Sequence, residues 1–164
     1  MGKTLYTLEV IITEGMVSEK FARANPVVSR TIEIRGLQTL WQLHRTIFRA
    51  FDRWDDCHMC EFQFGSGPHE PDSPRYVLSC TVDGPFDDRP AAGTIEKTRL
   101  DDLNLEVGRS FGYWYDFGDN WYHQIDIIAI GQPEAGRRYP RVIAQVEDNP
   151  PQYMDWDEEG DHGE

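Results

Sequence analysis

The chain has 164 residues, 16 Lys and Arg against 29 Asp and Glu, and a formal net charge of −13. That length suits one domain with its own core, expected over residues 1–154. No apolar run approaches the ~20 residues needed to span a membrane, and the acidic C-terminal segment repels nucleic acid and anionic lipid.

The N-terminus lacks a basic stretch followed by an apolar core and a small-residue cleavage site, so no signal peptide is expected. Three cysteines do not make a disulfide framework, and a reduced, cytoplasmic setting is the default. Residues 147–164 carry eight acids and no Lys or Arg, leaving a net charge of −5 on the body. From Asp155 to Glu164 the acidic segment reads as a disordered tail.

In chain order, Thr4–Thr13 alternates, with Tyr6, Leu8, Val10 and Ile12 on one face, as a half-buried strand does. Glu14–Asn25 reads as a loop. Pro26–Arg35 is a second strand with Val28, Ile32 and Ile34 on one face. Thr39 and Gln42 fit a capping box, in which each side chain satisfies a free backbone amide. The spacing of Leu40, His44, Ile47, Phe48 and Phe51 predicts a helix over 39–52, packed on a sheet through one face.

Cys60–Phe64 and Arg75–Val82 read as strands, 83–97 as a surface loop and Leu100–Leu103 as one helical turn. Segments 110–117 and 121–130 read as an antiparallel hairpin. Its tip is Asp119-Asn120, since both residue types tolerate the positive φ of a tight turn. That tip sets Phe117 opposite Tyr122 and Asp116 opposite His123, within hydrogen-bond reach; a three-residue loop would break the pair. Gly131–Tyr139 is a loop, and Pro150-Pro151 precludes regular structure. The expected fold is therefore α+β: a β-grasp-like mixed sheet with one main helix and an added antiparallel hairpin.

Two stretches carry a family resemblance. The first is Leu40-Trp41-Gln42-Leu43-His44 with Phe51-Asp52-Arg53-Trp54-Asp55-Asp56-Cys57-His58 and Glu61-Phe62. The second is Leu100-Asp101-Asp102-Leu103, Tyr115-Asp116-Phe117-Gly118-Asp119 with Trp121 and His123, then Tyr139-Pro140-Arg141 and Pro150-Pro151. Over residues 4–154 the chain resembles the plasmid pRiA4b ORF-three-like family, a mobile-element-associated group largely without assigned function. Some of its members are labelled transposon resolvases. After the proline pair the family continues Glu-Asp-Cys-Gly-Gly, whereas Gln152-Tyr153-Met154-Asp155 follow here. A serine resolvase needs a nucleophilic serine among arginines and a basic DNA-binding region; neither is present.

The candidate pocket is Asp116, His123, Trp121, His44, His58 and Asp119. Imidazoles and carboxylates of this kind suit a divalent metal, with His58, Glu61 and His123 as ligands, but no HExxH-type spacing accompanies them. Cys57-His58-Met59-Cys60 is a CxxC without the second pair a zinc ribbon needs, and two inert thiols explain it. Arg45, Arg49 and Arg53 recur every four residues and form a basic stripe that nearby aspartates neutralise. The leading reading is a binding module for a protein or small molecule. Behind it stands a metal-dependent or acid–base hydrolase using His123 oriented by Asp116, and then a nucleic-acid-associated accessory protein using the stripe.

Overall fold

The computed structural model describes residues 3–82 and 89–154. The expected tail over 155–164 lies outside the described residues. Eight strands form one sheet: β1 (Leu5–Glu14), β2 (Ser29–Arg35), β3 (Cys60–Gln63), β4 (Arg75–Val77), β5 (Gly93–Thr94), β6 (Ser110–Tyr115), β7 (Trp121–Gly131) and β8 (Arg141–Val146). Their order is β5-β4-β3-β6-β7-β1-β2-β8. Neighbours are antiparallel except β4 and β5. The two α-helices are α1 (Glu19–Ala24) and α2 (Leu40–Ala50).

The alternation in β1 and β2 does what it predicts: Tyr6, Leu8, Val10, Val28, Ile32 and Ile34 are buried on one face. Arg30 shares that face and is also fully buried. Its guanidinium donates to the carbonyls of Ala50, Ser29 and Val146 and to the Asn149 side chain, which replaces the water it has lost. Helix α2 lies over this face with Leu40, Leu43, His44, Ile47 and Phe48 buried, and the Thr39–Gln42 capping box closes its start. Full burial of one such aliphatic side chain stabilises by roughly 1.5–3 kcal/mol.

At its end α2 stops abruptly. Asp52 takes φ 53°, and the Asp52 and Arg53 amides fold back onto the carbonyls of Arg49 and Phe48. This left-handed cap turns Arg53 inward. The expected stripe therefore loses Arg53, which is 6% exposed, while Arg45 pairs with Asp56 at 3.2 Å.

Two local expectations are corrected. Residues 19–24 form a helix rather than a loop, because the Ser18 hydroxyl caps the Phe21 amide and Glu19 pairs with Arg23 one turn on. The strand from Arg75 ends at Val77, and Ser79–Thr81 is a 3-10 turn. Strand β8 escapes the alternation rule because its residues 142–146 are all exposed, so neither face selects for apolar side chains.

The hairpin is antiparallel but in another register. Its closing pair is Tyr115–Trp121, and His123 faces Tyr113. Asp116 begins the turn three residues early: at φ 60° its carboxylate accepts from the Gly118 and Asp119 amides. Asn120 closes the turn at φ 55°, bonding its amide to the Asp116 carbonyl and accepting from the Trp114 indole.

The second face of the sheet carries Glu61, Trp114 and Tyr122 in register, then Gln63, Gly112 and Gln124. The 65–70 segment covers part of it. His69 packs on Tyr122 at 4.3 Å, and a Cβ at Gly112 would come within 2.6 Å of the Pro68 carbonyl oxygen.

Candidate functional site

His123 sits on the helix side of β7, fully buried. Its Nδ1 donates to the Tyr113 carbonyl at 3.1 Å, which leaves Nε2 as the acceptor for Arg53 Nη2, also at 3.1 Å. Burial first, then the neighbouring guanidinium, hold its pKa well below the usual value, so the ring stays neutral. The Arg53 guanidinium rests on aromatic faces, 4.9 Å from the Trp121 centroid, 5.1 Å from Tyr115 and 5.5 Å from Phe51. Burial lowers its pKa to about 10, so it remains charged.

His44 continues the polar thread. Its Nδ1 meets the Tyr113 hydroxyl at 2.6 Å, with Cys60 Sγ at 3.6 Å. Burial pushes its pKa down to about 4, and burial pushes the Cys60 thiol and Tyr113 hydroxyl up. Every titrating group here is thus held neutral except Arg53.

His58, Asp116 and Asp119 lie elsewhere, at the rim. His58 Nδ1 faces Asp116 at 3.4 Å; its Nε2 meets the Tyr153 hydroxyl at 2.6 Å and lies 3.4 Å from Asp55. Tyr153 donates to Asp55 at 2.6 Å, so the hydroxyl accepts from His58. That bond, with the Cys57 amide, holds the Asp55 carboxyl below its ordinary range, and the same bond raises Tyr153 to about 12. The Tyr115 ring stands between the two groups, edge-on to His58 at 5.9 Å and tilted to His44 at 6.1 Å.

The Asp116–His123 pair is therefore replaced by two partnerships, Asp116 with His58 and His123 with Arg53. The cause is the three-residue shift in register. His123 lies in closed core, not in a cleft. The three metal candidates do not converge either: Glu61 points to the opposite face from His123, where it binds Arg75 Nε at 2.6 Å, and His58 is at the rim. Among the described residues no group of three His, Cys, Asp or Glu is placed to share an ion. Cys57 is exposed and Cys60 buried, so the CxxC thiols face different surroundings.

What sequence reasoning missed is the C-terminal clamp. Gln152 Oε1 accepts from the Trp54 and Asp55 amides, and its Nε2 donates to the Asp55 carbonyl. An open groove of about 350 Å³ results, lined by Asp52, Trp54, Pro150, Pro151 and Tyr153 among others. Trp54 is 72% exposed beside Tyr153, edge-on at 5.5 Å. The departure from the family pattern after Pro151 was the one signal for this, since Gln152 and Tyr153 are the residues that clamp.

A model of the plasmid pRiA4b ORF-3-like protein family matches residues 18–156. Among solved structures, a protein of unknown function from Methanosarcina mazei Go1 shares the fold, with a TM-score of 0.62 and 24% identity over 88% of this chain and 71% of that one. No curated protein matches. Among the described residues no helix is long and apolar enough to cross a membrane.

Proposed function

The chain belongs to the plasmid pRiA4b ORF-3-like family, and we propose that it is an intracellular binding module whose ligand seats on Trp54. The observation that carries this is a tryptophan 72% exposed in a groove walled by Pro150, Pro151 and Tyr153. An indole left in water beside other apolar walls is the usual anchor of a recognition surface. Asp52 at the groove, Asp55 bonded to its Tyr153 wall and the net charge of −13 favour a cationic polypeptide segment as partner. His58 bonds to the Tyr153 wall and faces Asp116, whereas His44, Trp121 and His123 are buried in the core.

We read residues 1–154 as one domain, and the first hairpin with α2 as a β-grasp-like element extended by further strands. The support is that α2 follows β1 and β2 directly and buries Leu40, Leu43 and Ile47 in their core. The hydrolase reading ranks lower because both ring nitrogens of His58 and of His123 are already engaged.

The test is a titration of 15N-labelled protein with a Lys/Arg-rich decapeptide, repeated for Trp54→Ala. Saturable shifts at the Trp54 indole and at the Asn149, Gln152 and Tyr153 amides, the latter lost in the variant, support the reading. No saturable shift at the groove, or the same shift without Trp54, overturns it.

A further inference from the structure

The core beneath the 52–58 loop holds one charge without an ion-pair partner among the described residues. Arg53 is 6% exposed, and its hydrogen-bond partner, His123, is a neutral imidazole. Among the described residues no carboxylate forms an ion pair with it; Asp116, the acid in its field, is committed to His58 and the hairpin turn. A buried cation is stabilised by an anionic partner, which this one lacks as an ion pair.

Two N–H groups in this part of the core are also unanswered. Arg53 Nη1 and Trp121 Nε1 are both buried without a hydrogen-bond partner. The aromatic faces of Phe51, Tyr115 and Trp121 meet the guanidinium, with its carbon 4.9 Å from the Trp121 centroid. Ring faces cover a guanidinium above and below its plane, but its N–H bonds point within the plane, where an acceptor is required. Two unpartnered donors beside a charge with no ion pair call for an acceptor, since buried donors are almost always paired.

We propose that this part of the core binds a monovalent anion of halide size, held by Arg53 Nη1 and Trp121 Nε1. A water molecule would satisfy the donors and leave the charge; a halide answers both, and it accepts from any direction. The site is one residue from solvent, because Asp52 and Trp54 on either side of Arg53 line the open groove. The anion would fix the Arg53 side chain from inside and so set the floor on which the exposed Trp54 stands.

The test uses the full chain crystallised from sodium bromide, with anomalous diffraction at the bromine edge. The expected result is a peak within hydrogen-bonding reach of both nitrogens. In solution, bromide replacing gluconate at constant ionic strength should raise the melting temperature of the wild type but not of Arg53→Met. Trp121→Phe keeps an aromatic face and removes one donor, so the bromide needed for half the shift should rise about tenfold. Density that is water alone, no peak, or an equal bromide response in wild type and Arg53→Met overturns the proposal. If Arg53→Met does not fold, the diffraction result and Trp121→Phe decide it.

Discussion

Arg53 Nη2 donates to His123 Nε2 at 3.1 Å, so a buried cation leans on an imidazole that must stay neutral to receive it. The pair joins the end of α2 to the middle of the sheet. It follows that the size of the replacement at position 53 matters more than the loss of charge. Arg53→Ala should lose about 3–5 kcal/mol, since it opens a cavity and strands the His123 acceptor. Arg53→Met fills the space with apolar volume and should cost about 2 kcal/mol less than Ala. Urea denaturation of both variants checks the order; equal losses would mean that packing against Phe51, Tyr115 and Trp121 is not what holds this side chain.

The buried histidines predict an acid limit to stability. Both have folded-state pKa values below their unfolded ones, so the unfolded chain takes up protons that the native state refuses. Stability is therefore full above about pH 7 and falls as pH drops through 6.5. For His44, whose pKa lies near 4, the loss by pH 4 is about 3 kcal/mol. Denaturation between pH 7.5 and 4 should show a steeper fall for the wild type than for His44→Gln. Parallel curves would count against a neutral His44.

At the rim, Tyr153→Phe removes the hydroxyl that donates to Asp55 and accepts from His58. The Asp55 carboxyl should move back up toward the ordinary carboxylate range, since that bond is the largest cause of its depression. Carboxyl-carbon NMR titration of the two proteins reads the change directly. An unchanged Asp55 titration would show that the Cys57 amide and His58, not Tyr153, set it.

Gly112 is the glycine whose substitution meets backbone. Gly112→Ala places a methyl 2.6 Å from the Pro68 carbonyl oxygen, so either β6 or the covering segment has to move. The expected cost is about 1–3 kcal/mol, with faster amide exchange at 66–70 while α2 keeps its protection. Loss of protection in α2 instead would place the disruption in the main core.

The elements governed by one repeating choice were legible in the sequence. The Thr39 box and the apolar stripe from Leu40 to Phe51 give α2, and alternation gives β1 and β2. Features that hang on a single residue were not. Asp116 can start a turn or sit within a strand, and pattern does not distinguish the two; when it starts the turn, every cross-strand partner of His123 changes. Arg53 continues the spacing of Arg45 and Arg49, and only the left-handed Asp52 takes it out of that row. The expected pocket residues are split between core and rim, because two of their partners, Arg53 for His123 and Tyr153 for His58, lie far off in sequence and carry no periodic signal.

The place of β1 in the sheet has a consequence for synthesis. It pairs with β2 on one side, a near neighbour in sequence, and with β7 on the other, about a hundred residues later. The β1–β2 hairpin and α2 can assemble on the ribosome, but one edge of β1 stays open until Trp121–Gly131 has emerged. At about 5–20 residues per second that is several seconds or more, during which a strand edge bearing Leu8 and Val10 is uncovered. Nascent chains stalled before residue 121 should therefore associate with one another or engage chaperones, and those released beyond residue 131 should not.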